Sequence, residues 1–269
     1  MWEQVQETVS FIKGKTNFTP EYGVILGSGL GSFTDDIKVE FTLPYTEIPN
    51  FPVSTVQGHK GALVFGTIGT KKVVAMQGRF HFYEGYSMKE VTFPVRVMKL
   101  LGIQKLFVSN ASGGVNADFE IGDLMIINDH INLIPNALLG PNMAEFGPRF
   151  PDMSVPYDKD MIALAKKVGV KLGYKLSEGC YVSTTGPTFE TPKEYQYFRI
   201  IGGDAVGMST TPEVIVARHM GIPVFAMSII TDLGVPGKIV EVSHEEVQKV
   251  GAASEKKMTA IMQEMLRNL

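Results

Sequence analysis

Two hydrophobic patterns alternate along the chain. Short runs rich in β-branched and aromatic residues are typical of buried strands, and longer segments with apolar residues three or four positions apart are typical of helices that cover a core. This alternation predicts a three-layer α/β domain. The predicted strands are YGVILG, ALVFGTI, KKVVAMQG, KLFVSN, DLMIIND, GCYVST, DAVGM and PVFAMSII, and the predicted helices lie near residues 2–14, 88–101, 158–172, 192–201, 212–220 and 243–268.

No feature of the sequence marks a domain boundary. Internal repeats, low-complexity tracts and Gly/Ser-rich linkers are absent from it, so we expect one domain over residues 1–269. The segment 134–157 is rich in Pro, Gly and Asn without clear periodicity. Loops of that length are often functional, so it is a candidate lid or subunit contact. The last helix has a defined start, because Ser243 and Glu246 form a capping-box pattern.

Composition and charge indicate which kinds of partner the protein can bind. Of the 269 residues, 44% are hydrophobic, which is enough for a substantial core, and the net charge of −3 leaves no basic surface for nucleic acid. Apolar runs of about 18 residues are absent, and the start, MWEQVQETVSFIKGK, lacks the order of a signal peptide. We therefore expect a cytoplasmic protein with a small-molecule partner and no membrane association.

A single cysteine limits the redox and metal chemistry. Cys180 lies in the predicted strand GCYVST. One cysteine excludes internal disulfides and any multi-cysteine metal site. We expect a buried, inert thiol.

A glycine-rich turn follows the first predicted strand. In GVILGSGLGS, the turn contains Gly27, Ser28, Gly29 and Gly31, whose backbone N–H groups could bind an anion. The G-x-G-x-G spacing, with no acidic strand end about twenty residues later, does not match a dinucleotide fingerprint. The G-K-[ST] of a P-loop does not follow either. A simple strand-to-helix turn is the alternative.

A polar alternation follows the strand KKVVAM. Arg79, His81 and Tyr83 lie at positions i, i+2 and i+4, so an extended chain would project all three side chains from one side. Arginine offers a planar fork of donors to phosphate, and histidine offers a second donor beside it. Ligands of open α/β sheets bind at strand ends, although a solvated edge strand is the alternative.

Two further motifs combine small or aromatic residues with polar ones. VSNASGG ends a predicted strand with Asn110, Ala111 and Ser112, which would let a ligand approach main-chain N–H groups; a simple turn is the alternative. TTGPTFETPKEY places Phe189 beside Glu190, ahead of a helix start marked by Thr-Pro. An aromatic face with a carboxylate suits a planar base that has an N–H to donate. Glu190 could instead favour only the positive end of the helix.

Four more candidates lie at predicted strand ends or helix starts. Met208 could belong to the core, Ser209 to the cap of the helix that begins at Pro212, and His244 to the first turn of the last helix. Asp232 follows the apolar run VFAMSII. A lone acid at the end of a buried strand is either a helix cap or a site residue.

Together and in this order, these segments resemble the trimeric purine nucleoside phosphorylases. The resemblance implies one α/β/α domain around a mixed, partly barrel-like sheet, and a homotrimer. It implies reversible phosphorolysis of inosine, guanosine and their deoxy forms to a free purine and (deoxy)ribose 1-phosphate, in purine salvage. Neither a cofactor nor a metal is implied, because inorganic phosphate is the co-substrate and attacks the anomeric carbon itself. The match covers essentially the whole chain through GVILGSGLG, FPVSTVQGHKG, GRFHFYEGY, SNASGG, DHINL, RFPDMS, GPTFET, GDAVGMSTTPEVIVARH and SHEEV.

The resemblance also implies roles, residue by residue. The phosphate site would be formed by Ser28, His59, Arg79, His81, the backbone at Ala111, and Ser209, with a structural role as the alternative for His59. The ribose site would be formed by Tyr83, Met208, His244 at the 5′-hydroxyl, and Phe150 from the neighbouring subunit. The base site would be formed by Phe189, Glu190 and Asp232, with Asn110 beside them. Catalysis would depend on Asp232, Glu190 and His81.

Asp232 departs from the family pattern. Members selective for 6-oxopurines usually carry Asn at this position, and an ionised carboxylate cannot donate to purine N7 as an amide can. Glu190 favours hypoxanthine or guanine, because it accepts from N1–H, which adenine lacks. A protonated Asp232 could donate to N7 and accept from the 6-amino group of adenine. We expect a preference for 6-oxopurines.

Two other functions fit part of the sequence. A methylthioadenosine phosphorylase of the same superfamily would also carry an acid at the base site, but its 5′ pocket should be apolar, whereas His244 favours a free 5′-hydroxyl. A non-catalytic nucleoside- or nucleotide-binding module could use the glycine turn. Such a module would not need the donor set of Arg79, His81 and Ser209.

Overall fold

A mixed nine-stranded sheet organises the structure, a computed structural model that describes residues 1–27, 31–53, 55 and 60–269. The strand order in this part of the chain is β2-β3-β4-β1-β5-β8-β7-β6-β9, and a further pairing of β5 with β9 closes five strands into a barrel-like ring. The strands are β1 (Tyr22–Ile25), β2 (Lys38–Pro44), β3 (Ala62–Ile68), β4 (Lys71–Gln77), β5 (Lys105–Gly114), β6 (Leu124–Asn132), β7 (Leu176–Ser183), β8 (Ala205–Gly207) and β9 (Val224–Leu233).

Both parallel and antiparallel neighbours occur in this sheet. Strand β1 runs parallel to β4 and β5, and β5 runs parallel to β9. The pairs β2–β3, β3–β4, β5–β8 and β6–β9 are antiparallel. The expectation of a mixed, partly barrel-like sheet is confirmed.

Helices cover the sheet in two groups. Helix α1 packs on α3 and α3 on α6, while α4 packs on α7, which also contacts β3, β5 and β9. The predicted three-layer α/β/α arrangement is therefore confirmed. None of the described helices combines the length and the apolar character needed to cross a membrane. The helices are α1 (Trp2–Lys15), α2 (Met88–Val91), α3 (Phe93–Leu101), α4 (Lys159–Leu172), α5 (Pro192–Ile200), α6 (Thr211–His219) and α7 (His244–Asn268).

The sequence pattern did not predict strand β2. Among the described residues, strand β2 pairs only with β3. Most of its residues are exposed or half-buried, so it carries no continuous apolar run. Gly66 allows the close pairing, because a Cβ there would overlap the carbonyl oxygen of Lys38. An edge strand with one neighbour buries too little surface to leave a strong hydrophobic signature.

The helix predicted near 88–101 is wrong as a single element. The chain forms α2 and α3 with Thr92 between them, because Pro94 lacks an N–H and its ring would clash with the carbonyl four residues earlier. The Thr92 hydroxyl donates to the Met88 carbonyl at 2.7 Å. By contrast, the capping box predicted at α7 is present, with the Ser243 side chain accepting from the Glu246 N–H.

Strand β5 runs further than predicted. It continues through SNASGG to Gly114, so the turn interpretation of that motif is wrong. Residues 110–114 pair with β9, and Gly113 and Gly114 also pair with β8. The small side chains of this motif therefore lie inside the sheet, where two neighbouring strands approach closely.

The cysteine lies in a strand, as predicted. Cys180 is part of β7, is half-buried and has no disulfide partner. Burial raises the pKa of its thiol to about 12, so the reactive thiolate is suppressed at neutral pH.

Candidate active site

A cavity of about 470 Å³ opens where strand ends, two loops and the start of α7 meet. Its size is that of a small-molecule site. Its wall brings together predicted residues that lie far apart in the sequence. These are Arg79, His81, Tyr83, Asn110, Ala111, Phe189, Glu190, Met208, Ser209, Asp232 and His244.

A buried ion pair forms one end of this cavity. Arg79 is 1% exposed, and its Nε donates to Glu213 Oε1 at 2.9 Å. Its Nη1 donates to the Ser109 carbonyl at 2.6 Å and to Ser209 Oγ at 3.3 Å. The Glu213 carboxylate neutralises the buried cation, as a desolvated charge requires. The guanidinium is thereby held beside the Ser209 hydroxyl at the cavity wall.

The reasoning that joined Arg79, His81 and Tyr83 by extended spacing is wrong. Strand β4 ends at Gln77, and Tyr83 lies in a 3-10 turn over residues 82–84. The His81 side chain and Glu84 form a capping box at the start of this turn. The three side chains still line one cavity, with the His81 and Tyr83 rings stacked at a centroid distance of 4.7 Å.

Glu84 orients His81. One carboxylate oxygen, Oε1, accepts from the His81 N–H at 2.8 Å and lies 3.0 Å from His81 Nδ1. The other oxygen, Oε2, accepts from the backbone and hydroxyl of Thr55. Burial alone would raise the pKa of Glu84, but the hydrogen bonds from His81 and Thr55 lower it to about 2. An ionised Glu84 fixes the proton of His81 on Nδ1. Burial lowers the pKa of His81, against the opposing effect of Glu84.

The residue after Ser209 has a strained backbone conformation. Thr210, which precedes α6, has a φ of 68°, which is rare for a β-branched residue and costs on the order of 1–3 kcal/mol. Asn110 Nδ2 donates to Thr210 Oγ1 at 2.7 Å, and the Ser209 N–H donates to Tyr181 Oη at 3.3 Å. These contacts hold the turn that directs Ser209 Oγ towards Arg79.

Two carboxyl groups lie in the opposite part of the wall. Burial raises the pKa of Glu190 to about 6, and the charge of Asp232 adds to that effect. Asp232 is 7% exposed, and burial raises the pKa of its carboxyl. It lies within β9 rather than at a helix start, so the helix-cap alternative is wrong. Gly113 permits the arrangement, because a Cβ there would lie 2.8 Å from Asp232 Oδ2.

Glu190 does more than stabilise the positive end of α5, which was its alternative role. The N-cap of α5 is Thr191, whose side chain accepts from the Glu194 N–H in a capping box. The Glu190 side chain accepts instead from Thr184 Oγ1 at 3.3 Å and lines the cavity. Phe189, 40% exposed, is beside it.

The remaining lining residues come from α7 and β8. His244 begins α7 and is within 3.0 Å of Gln248 through its Nε2. Met208 follows β8 and is half-buried in the cavity wall rather than in the core. Ala111 lies in the middle of β5.

Three predicted residues remain to be accounted for. Ser28 and His59 lie outside the described residues. Phe150 is 87% exposed and does not line the cavity of its own chain, although the Arg149 guanidinium lies 5.6 Å from its ring centre. The segment that carries it is anchored nearby, since Phe146 is buried and packs edge-on against Trp2 at 5.2 Å.

Sequence reasoning missed the residues that support the wall. Glu84, three positions after His81, was the one with a local signal, because that spacing permits a capping box. Apart from Thr231, which bonds to its chain neighbour Asp232, the others contact their partners only through the tertiary fold. They are Thr55, Tyr181, Tyr195, Thr210, Glu213 and Thr231.

Known proteins resemble this chain in sequence and in fold. The family model described as Phosphorylase superfamily matches residues 21–267. Purine nucleoside phosphorylase 1 of Bacillus subtilis is 53% identical over 251 residues, with 93% of each chain covered. The solved structure of Schistosoma mansoni purine nucleoside phosphorylase in complex with adenosine is 46% identical, with a TM-score of 0.94 over 99% of this chain and 97% of the other. The inosine complex of the Schistosoma mansoni enzyme is 44% identical, with a TM-score of 0.94 over 99% of this chain and 96% of the other. The chain belongs to the phosphorylase superfamily and, within it, to the purine nucleoside phosphorylases.

Proposed function

We propose that this chain cleaves purine nucleosides with inorganic phosphate, giving the free base and a pentose 1-phosphate. The observation that carries the proposal is the polarity of the cavity. One end has a buried arginine, a histidine and a serine, and the other has the buried carboxyl of Asp232 and the half-buried carboxyl of Glu190 beside an aromatic ring. A purine nucleoside with a phosphate below its sugar has the complementary order of groups. The solved relatives that contain adenosine and inosine support the same assignment.

Phosphate binds at the Arg79 end in this proposal. The guanidinium, the Ser209 hydroxyl and the backbone at Ala111 supply donors, and the resemblance adds Ser28 and His59. With Nδ1–H donated to Glu84, a neutral His81 presents Nε2 as an acceptor, which suits the P–OH of monohydrogen phosphate. This site binds the nucleophile, so the reaction requires neither a cofactor nor a covalent enzyme intermediate.

The sugar lies between the two ends. Tyr83 and Met208 flank it, and His244 meets its 5′-hydroxyl. A polar residue at this position favours nucleosides with a free 5′-hydroxyl over 5′-methylthio analogues. The exposed Phe150 covers the sugar of a neighbouring subunit in a homotrimer, which explains why a large aromatic side chain is left in solvent in the single chain.

Charge separation drives the chemical step. Breaking the glycosidic bond leaves positive charge on the sugar and negative charge on the base, so phosphate below the ring and a proton donor at N7 both stabilise the transition state. Protonated Asp232 is the donor to N7. Glu190, with a pKa of about 6, is mostly ionised at neutral pH and accepts from N1–H. This pair favours 6-oxopurines, with Asn110 beside the pocket.

The proposed reaction makes a direct prediction about phosphate. Purified protein should release hypoxanthine from inosine only when phosphate is added, because phosphate is the nucleophile. The release is measured with a coupled xanthine oxidase assay in phosphate-free buffer and after phosphate addition. Cleavage without phosphate would indicate a hydrolase, and no cleavage under either condition would indicate a binding module; both results would contradict the proposal.

Removing the Ser209 hydroxyl should weaken phosphate use more than nucleoside binding. One hydrogen bond to an anion contributes about 1.5–3 kcal/mol, so Ser209→Ala should raise the KM for phosphate by roughly ten- to a hundredfold. Arg79→Ala should act in the same direction, but it also leaves Glu213 buried without its ion-pair partner, so the serine variant is the cleaner test. Unchanged phosphate saturation in both variants would show that phosphate binds elsewhere.

If each site is shared between two subunits, activity lost in Phe150→Ala can be restored by mixing it with a variant that keeps Phe150. The variant should stay folded and lose up to about tenfold in kcat/KM for inosine, because it removes an aromatic contact to the sugar. Val170→Ala, which removes another exposed apolar side chain, on α4, is the control. After subunit exchange with a Glu190→Gln variant in equal amounts, about one quarter of the sites should regain both native residues. A lack of recovery despite demonstrated exchange would argue against a site shared between subunits.

Asp232 should control the alkaline side of the pH profile. Its raised pKa keeps the carboxyl protonated to higher pH, and activity should fall as that proton is lost. An amide cannot lose this proton, so Asp232→Asn should flatten the alkaline limb of kcat/KM for inosine. The same change should lower adenosine cleavage relative to inosine by about tenfold, since the two N–H groups of the amide can bond N7 and the 6-oxo oxygen of inosine but would face the N–H donors of a 6-amino group. The kcat/KM of the wild type and of Asp232→Asn is measured for both nucleosides across pH. Superimposable profiles with an unchanged preference would show that Asp232 does not recognise the base and that Glu190 does so alone.

A further inference from the structure

Tyr195 contacts the base end of the cavity from behind. It lies in α5, is 3% exposed and is not among the residues that line the cavity. Its hydroxyl donates to Asp232 Oδ2 at 3.2 Å. The ring fills the space at Gly234, where any Cβ would overlap it. The phenol is therefore held against the carboxyl by packing as well as by the hydrogen bond.

Both oxygens of Asp232 receive a donor from the protein. Thr231 Oγ1 donates to Oδ1 at 3.0 Å, with the Ser112 carbonyl at 3.2 Å as its other acceptor, and Tyr195 donates to Oδ2. Close to Oδ2 lies Gly113 of β5, at a distance that leaves no room for a larger residue. Contacts from β9, α5 and β5 thus fix the plane of one carboxyl group. Each oxygen keeps a second lone-pair direction, through which the group can accept from a ligand or carry a proton towards it.

The Tyr195 hydroxyl has one proton and two acidic neighbours. Burial raises the pKa of Tyr195, and the charges of Asp232 and Glu190 raise it further. The phenol therefore stays protonated over the working pH range and remains a donor. A single O–H can serve one carboxylate at a time. Both carboxyl groups lie within hydrogen-bonding reach of this phenol, and the bond that the geometry forms, at 3.2 Å, is the one to Asp232.

We propose that Tyr195 is a positioning residue that holds the Asp232 carboxyl in the orientation that meets the purine. The proposal rests on the proposed function, because it assumes that Asp232 faces the base. Tyr195 touches neither substrate nor phosphate in this role. It acts through the carboxyl that it bonds, so its effect on the alkaline limb disappears when Asp232 is replaced.

The sign of the effect follows from the hydrogen bond. Donation from Tyr195 stabilises the ionised form of Asp232 and opposes the rise of its pKa by burial. Among the described residues, the titratable groups that face this carboxyl are Tyr195 and Glu190, while His244 of α7 lines the same cavity. Removing the phenol hydroxyl should let Asp232 keep its proton to higher pH. Glu190 keeps its own partner, Thr184, in the variant.

The test compares Tyr195→Phe with Tyr197→Phe, each in the wild-type and the Asp232→Asn backgrounds. Tyr197 lies on the same helix but is 50% exposed, so its variant controls for loss of a phenol from α5. In the wild-type background, Tyr195→Phe should move the alkaline limb of kcat/KM for inosine to higher pH by about one unit. It should also reduce kcat/KM by up to about tenfold at the optimum, because the carboxyl is less well oriented. In the Asp232→Asn background the limb shift should be absent.

Two results would overturn the inference. A loss by the same factor at every pH and in both backgrounds would show that Tyr195 acts through packing only, and an unchanged profile would show that it does not act on Asp232. Thr231→Val removes the other donor with little change of shape. If Tyr195→Phe fails to fold, Thr231→Val should move the alkaline limb of kcat/KM to higher pH in its place. Phosphate-dependent cleavage of inosine by the wild-type protein is independent of these variants, so failure of this inference is distinguishable from failure of the proposed function.

Discussion

The ion pair between Arg79 and Glu213 joins residues 134 positions apart, both of them almost fully buried. Removing two charges from water is costly, and the cost is offset only when the geometry is good and further hydrogen bonds satisfy the groups. The Ser109 carbonyl and the Ser209 hydroxyl supply such bonds to the guanidinium. The pair therefore fixes the segment after β4, the strand β5 and the start of α6 relative to one another, which shapes one end of the cavity.

The two ends of the cavity differ in charge because their supports differ. At the cationic end, a glutamate side chain bonds each of Arg79 and His81. At the other end, Glu190 and Asp232 lie near hydroxyl groups and no described cation pairs with them. Burial then raises the pKa of both carboxyl groups, so this end can hold a proton near neutral pH. The combination suits a reaction in which an anion attacks at one end and a base departs as an anion at the other.

Strand β5 connects these two environments. Its neighbours β8 and β9 pair with the end of SNASGG, where a Cβ at Gly113 or Gly114 would come too close to side chains of β9, and Gly113 sits directly opposite Asp232 in the register with β9. The register shifts between Ser112 and Gly113. Closure of the five-stranded ring brings the residues after β8, near the phosphate end, and Asp232 of β9, at the base end, to one cavity.

The sequence by itself determined the main strands and most helices, because buried runs and caps are local patterns, and the resemblance of its motifs to a known family indicated many residues of the cavity wall. It did not determine the edge strand β2, which buries little, or the break between α2 and α3, where one proline outweighs the helical periodicity. Local spacing also misjudged the path from Arg79 to Tyr83. The supporting contacts of Glu213 and Tyr195 were decided only by the tertiary structure. Each pairs with a residue far along the chain, and no local pattern encodes which buried charge or carboxyl a distant side chain will meet.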